Sequence, residues 1–235
     1  MFKSNFVSPK IIEKFPDYAC ALITITGIEG SASDARSEKL LLEAESVTRN
    51  LLSEVSVDEL SEVKAWRAAY ESFGVKPRVA RASFEALMRR IDKGLPRIDL
   101  LTDIYNAVSV IYRVPIGGEN LDRYVGSPRL EFAVGDERFE TRENGETVIQ
   151  NVEPGEVICR DDLGVTCRRW NWRQCIRTRI DHETKTLLFI VEALGPDSIL
   201  QVHEAGSRLL LELRNIWPDL SAEMRLEHNQ QNLDH

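Results

Sequence analysis

Two stretches of the chain bring together residue types that can do chemistry. In the first, residues 99–106 read DLLTDIYN and residues 114–122 read VPIGGENLD. Asp99, Asp103 and Asn106 fall three and four apart, so on a helix they share one face. Such a polar stripe suits solvent, but Ile104, Ala107, Val108, Val110 and Ile111 crowd Asn106. That density tips the asparagine toward a buried, hydrogen-bonded place, where an amide is costly unless paired. Gly117 and Gly118 let backbone approach a ligand closely, although a plain turn explains them equally well.

The second stretch, residues 166–178, reads TCRRWNWRQCIRT. As an extended strand it points Asn171, Arg173 and Cys175 one way and Trp170, Trp172 and Gln174 the other. Indoles interleaved with arginines can stack an unpaired base and neutralise its phosphate. The same pattern also describes two tryptophans anchoring a core beneath a row of exposed arginines. Both readings stand on pattern alone.

More familiar chemistry is missing from the sequence. It has no Gly-rich phosphate loop, no nucleophile elbow and no metalloprotease helix. Cys20, Cys159, Cys167 and Cys175 include no pair two residues apart, and His182, His203, His228 and His235 are scattered. Reduced structural thiols and no metal or cofactor are the expectation, with the roles of Cys167 and Cys175 left open.

The elements that must position these residues begin with helices. Tyr18 to Ile28 is a buried strand by its β-branched, apolar content. Asp34 opens a helix with Leu40, Leu41, Ala44, Val47 and Leu51 at helical spacing. Ser56 and Glu59 fit a capping box that starts a second helix through Trp66 and Tyr70 to Phe73, stopped at Gly74. Ser83 caps a third, Phe84 to Asp92. A fourth runs from about Asp99 to Arg113 and is closed by Pro115. From Leu130 short apolar runs alternate with turns at 135–136, 144–145, 154–155 and 162–164, a meander of short strands. Leu187 to Val191 is a buried strand, and a last helix runs from Pro196 to Ile216. Helices first and strands later, without βαβ alternation, make this α+β, with a mixed or antiparallel core flanked by helices. The expected organisation is one domain over 1–217, helix-rich to about 125 and strand-rich over 126–216, then a polar, fraying tail over 218–235.

Composition narrows the function classes. The 235 residues carry 30 Lys and Arg against 38 Asp and Glu, a net charge of −8, which argues against a protein that coats nucleic acid. The charge is uneven. Residues 76–97 carry seven basic side chains against Glu85 and Asp92, and residues 160–179 carry six arginines against Asp161 and Asp162. These segments either grip a few phosphates or are solvated surface. The longest apolar run is about half a membrane span, and the N-terminus lacks a secretion-signal layout, so a cytosolic protein is expected.

The order of several motifs resembles a known family. WRAAYESFG (66–74), SFEAL (83–87), the Asn106 helix, PIGG (115–118), Gly155-Glu156 and RWNWRQ (169–174) resemble free-standing relatives of the editing (B3/B4) domain of the phenylalanyl-tRNA synthetase β subunit, across roughly residues 10 to 215. That domain removes a wrong amino acid from tRNA in a pocket built from a Thr-Asn pair, a Pro-Met-His segment and a Gly-Gly-Glu-His stretch. Here Asn106 matches the asparagine, but Tyr105 stands for the threonine and Gly117 for the histidine, and Trp172 to Cys175 differ entirely from the last stretch. The scaffold carries over and the specificity does not.

The resemblance implies hydrolysis of mischarged aminoacyl-tRNA, with the tRNA acceptor end and a synthetase as partners and no membrane. Asn106 and Tyr105 would line the amino-acid pocket, with Trp172 beside them, and Gly117 and Gly118 would supply backbone donors. Asn171, Arg173 and Gln174 would orient the water or hold the terminal adenosine, and Asp103 or Glu119 would take the α-ammonium. Ester hydrolysis needs a positioned water and oxyanion donors rather than a protein nucleophile. A non-catalytic module binding tRNA or an amino acid, and an enzyme acting on a small metabolite, are the alternatives. Oligomeric state, amino acid and tRNA are not legible.

Overall fold

The computed structural model describes residues 5–229. Its first sheet is organised by β1 (Tyr18–Thr26), whose alternation of Ile, Thr and Ala or Cys is buried along nearly its whole length. β1 pairs antiparallel with β9 (Thr186–Leu194), and β9 pairs antiparallel with the short β2 (Ile116–Asn120), which forms the edge. The other edge is β10 (Ser221–His228), paired with β1 from Ala19 to Thr26. The fraying expected after Trp217 is therefore corrected: Ser221–His228 is a sheet strand, and 230–235 lie outside the described residues. The signal missed is alternation, with Ala222, Met224 and Leu226 on one face and charged residues on the other. Glu227 then fastens the N-terminal segment, accepting from the backbone N–H of Phe6 and Val7 at 2.9 and 2.8 Å.

The second sheet is the meander. It comprises β3 (Arg129–Phe132), β4 (Arg138–Glu143), β5 (Glu146–Asn151), β6 (Val157–Arg160), β7 (Val165–Arg168) and the two-residue β8 (Arg173–Gln174). The order is β3-β6-β7-β4-β5, with β8 on β7. One parallel contact, between β4 and β7, makes it mixed. Asn144 and Gly145 both have positive φ (51° and 88°), so their hairpin turn matches the strand twist.

Among the described residues six helices flank the sheets: α1 (Pro9–Lys14), α2 (Ala35–Leu52), α3 (Ser61–Ser72), α4 (Ser83–Met88), α5 (Leu100–Tyr112) and α6 (Ser198–Ile216). Asp34 and Asp99 are N-caps as their positions suggested, accepting from Arg36 and Thr102 N–H at 2.7 Å. Two boundaries differ from expectation. The Ser56–Glu59 capping box forms, but on a 3-10 turn (Val57–Glu59). Extended backbone at Leu60 (ψ 134°) then forces the helix to restart at Ser61. Ser83 does not cap: its hydroxyl is buried without a partner, and α4 stops at Met88, before a separate 3-10 turn (Ile91–Lys93).

The architecture is α+β, two antiparallel or mixed sheets flanked by helices. At the core Trp170, fully buried, meets Phe15, Tyr18 and Trp66 with ring centroids 4.8–5.1 Å apart. Both sheets, α1 and α3 thus converge on one indole.

Candidate functional site

Antiparallel register assigns each side chain of the first sheet to a face. Residues opposite one another share a face, so Glu119 (opposite Leu188), Gly117 (opposite Ile190), Glu192 (opposite Cys20) and Tyr18 point the same way. That face meets the segment between β7 and β8. The two enclose a cavity of about 200 Å³ at the β2 edge, with Tyr105 and Asn106 of α5 as its third wall.

The segment closing the cavity is not the extended strand its pattern suggested. Arg169 and Trp170 both take positive φ, 47° and 66°, so β7 ends in a tight reversal before β8 begins at Arg173. Strand alternation is lost. Trp170, Asn171, Trp172, Arg173 and Gln174 all border the same cavity instead of facing two ways. Neither sequence reading of the paired indoles is complete: Trp170 is a core anchor, and Trp172 belongs to the cavity. Trp172 lies between two guanidinium groups, those of Arg169 and Arg173, each 4.5 Å from its ring centroid.

Most of the other arginines in the two basic segments are committed to internal carboxylates. Arg168 pairs with buried Glu156 at 2.8 Å, Arg177 with Asp161 at 2.8 Å, and Arg97 with Glu38 and Glu45. Arg89 pairs with Asp58 and Glu85, sharing them with Arg67 from outside the segments. Phosphate gripping by all the arginines of these segments is therefore ruled out, and the cations that border the cavity belong to the Arg169–Trp172–Arg173 stack. Arg173 is exposed and has no carboxylate partner among the described residues, and Arg169 lies 3.9 Å from a Glu156 already occupied by Arg168.

Of the remaining expected site residues, Tyr105, Asn106, Gly117, Gly118 and Glu119 all border the cavity, and Asp103 does not. Asp103 is fully buried against α2, accepting from the Ile98 N–H at 2.8 Å and the Ser37 hydroxyl at 3.2 Å. It holds α5 to the loop before it. Asn106 is half-buried, and its side chain makes no hydrogen bond among the described residues, so the paired buried amide expected there is a free amide at the cavity wall. A Cβ at Gly117 would meet nothing within 4 Å, so this backbone leaves open space where a side chain would stand. A Cβ at Gly118 would lie 2.8 Å from Ile180 and 3.0 Å from Phe189, so only glycine packs there.

The two glycines also differ as donors. The Gly118 carbonyl accepts from Gln174 Nε2 at 2.9 Å and the Asn120 N–H donates to Thr178, whereas the Pro115 carbonyl accepts from the Glu192 N–H. Backbone groups alternate along a strand, so Gly117 faces β9 and is used in the ladder. The Gly118 N–H faces away, toward the 174–178 segment. One backbone donor, not two, is available. Asn171 and Gln174 are braces. The Tyr70 hydroxyl donates to Asn171 Oδ1 at 3.0 Å while Asn171 Nδ2 donates to Glu192 at 3.1 Å. Gln174 Nε2 ties Gly118 to Thr178.

Glu192 was not singled out by the sequence, because it sits inside an apolar strand whose neighbours are all core. It also accepts from the Tyr18 hydroxyl at 2.7 Å. Burial pushes its carboxyl up to about 7 against the pull of the Tyr18 hydroxyl, the Asn171 amide and the Trp170 indole. Glu119 is likewise pushed up to about 7 by burial, although Thr178, Tyr124 and Gln174 draw it down, and its Oε2 has no hydrogen bond. Cys159 and Cys167, opposite one another on β6 and β7, border the cavity with thiols pushed up by burial. Cys175 is buried beside Thr178, away from it. Among the described residues no group of three side chains forms a metal-binding cluster.

Comparison with known proteins gives three results. No curated protein matches the chain. Among solved structures it resembles the N-terminal fragment of the phenylalanyl-tRNA synthetase β subunit from Pyrococcus horikoshii, with a TM-score of 0.45 and 13% identity. That match covers 96% of this chain and 52% of the other, so the chain spans about half the length of that fragment. A family model, that of the B3/4 domain, matches residues 65–207, from within α3 through β9 and into α6. The chain belongs to the B3/4 domain family.

Proposed function

We propose that the cavity receives the aminoacyl group of a mischarged aminoacyl-tRNA and that the protein hydrolyses the ester joining it to the tRNA acceptor end. The observation that carries this reading is the meeting of three elements at one small cavity: the Asn106 helix, the glycine edge strand and the Trp-Arg turn. Its volume suits one amino-acid-sized group and leaves the nucleotide outside. Trp172 and Arg173 of the cationic stack border it, where a phosphate or a base of the acceptor end would lie.

In this reading Glu119 takes the α-ammonium, its Oε2 being the acceptor without a partner. The Asn106 amide and the Gly118 N–H are the donors for the oxyanion that forms as water attacks the ester carbon. The bond to the ribose oxygen then breaks and that oxygen takes the proton. Asn171 and Gln174 hold the walls in place. The substrate would come from a synthetase that had released it, in the same compartment as free tRNA.

A panel of mischarged tRNAs tests this by single-turnover deacylation. One of them should turn over above buffer hydrolysis, and Asn106→Ala should slow it by about 10²–10³, the usual loss for one oxyanion donor. No turnover across the panel removes the hydrolase reading. A binding-only module is the second reading, favoured by the open space at Gly117, where the resemblance would have a histidine. It gives saturable tRNA binding without hydrolysis.

A further inference from the structure

Glu119 and Glu192 stand at opposite ends of the cavity floor. Glu119 is opposite Leu188, four residues along β9 from Glu192, a separation along the strand of roughly 14 Å at ~3.4 Å per residue. Between them on the same face lie Ile190 and the bare backbone of Gly117, an apolar saddle without polar side chains. Each glutamate is 3% exposed and borders the cavity.

Neither has a salt-bridge partner among the described residues. Arg177, whose charge acts on Glu119, is itself held by both oxygens of Asp161. The groups that draw Glu192 down, the Tyr18 hydroxyl, the Asn171 amide and the Trp170 indole, are all neutral, so no cation compensates its charge. Glu119 Oε2 is unpartnered. A buried carboxylate without a compensating cation is costly, and a small cavity presenting two of them favours whatever compensates both. An uncharged ligand compensates neither. A ligand whose only charge is an α-ammonium compensates one.

We infer that the natural ligand carries two positively charged groups joined by a short apolar chain. One meets Glu119 and the other Glu192, as in an aminoacyl group whose side chain ends in a primary amine, of the lysine or ornithine type. This rests on the aminoacyl reading and names the substrate class within it. The methylenes cross Ile190 and Gly117, and each ammonium forms a charge-assisted hydrogen bond at its end.

Calorimetric titration of the intact protein with L-lysinamide, L-norleucinamide and Nε-acetyl-L-lysinamide tests it without RNA or turnover. Lysinamide should bind at least about tenfold tighter than norleucinamide, which lacks the second charge. The acetylated amide, with its chain intact and its charge removed, should fall to the norleucinamide level. Glu192→Gln should erase the preference, and Glu119→Gln should weaken lysinamide and norleucinamide together. Should Glu192→Gln not fold, the three-ligand series on the unaltered protein decides alone. Equal affinity for lysinamide and norleucinamide, or no binding of lysinamide, overturns the inference. Hydrolysis of some other aminoacyl ester without that preference sinks this inference and leaves the deacylase standing. Lysinamide preference without hydrolysis of any charged tRNA does the reverse.

Discussion

Asn106 and Glu192 lie on neighbouring walls of one cavity, yet the sequence advertised only the first. Asn106 stood out as an amide among apolar residues on a helix, whereas Glu192 lies in LLFIVEAL, where strand periodicity points each position to some core. Its partners, Tyr18 and Asn171, are 174 and 21 residues away, a distance local pattern does not span. Asp103 failed for a related reason. Its spacing put it on the Asn106 face, but the packing of α2 against α5 claimed it for Ser37. The glutamates carry a consequence for stability. Burial raises Glu119 from an ordinary 4.5 to about 7. The folded state then holds its proton more tightly than the unfolded one between those values. Its contribution is full below about pH 4.5 and lost as pH rises through about 7. Glu119→Gln removes this loss. Melting temperature followed against pH should show the variant gaining on the parent between about pH 5 and about pH 8, by up to ~3 kcal/mol. A difference that is flat across that range would mean the carboxylate is not held as described.

At the scale of elements, β2 shapes the cavity by what it omits. A Cβ at Gly117 meets nothing within 4 Å and needs no unusual φ, so Gly117→Leu should fold with little change in melting temperature while its side chain fills the cavity and abolishes ligand binding. Gly118→Ala should do the opposite, costing about 1–3 kcal/mol in stability through its clash with Ile180 and Phe189. A Gly117→Leu protein that still binds would place the ligand elsewhere. Most elements were legible: β1, α2, α5, α6 and the meander follow from periodicity, caps and turn residues. The Trp-Arg turn was not, because positive φ at Arg169 and Trp170 is rare for such side chains and is imposed by the burial of Trp170 among Phe15, Tyr18 and Trp66. β10 was hidden by its charges, which read as a tail until the edge of β1 gives them a place.

Across the whole molecule, charge is mostly settled internally. Several arginines of the two basic segments sit in ion-pair networks around Glu85, Glu45, Glu156 and Asp161, and the net charge of the sequence is −8. tRNA binding should accordingly be weakly salt-dependent, with a log–log slope of about −2 for two neutralised phosphates, and Arg173→Ala should reduce that slope by about 1. A slope several times larger, measured by filter binding across salt, would mean that tRNA is gripped by many more cations than the Arg169–Trp172–Arg173 stack. No helix among the described residues is long and apolar enough to cross a membrane.

The central claim is the location of the ligand: one cavity, walled by α5, β2 and the Trp-Arg turn. Titration of isotope-labelled protein with a non-hydrolysable aminoacyl-adenosine amide, read by amide and indole NMR shifts, tests it most directly. The largest changes should fall on the Gly117 and Gly118 amides, the Asn106 and Asn171 side-chain amides and the Trp172 indole. Shifts confined to another depression, such as the one lined by Glu71, Gly74 and Val75 to Arg78, with those five groups unmoved, would contradict it.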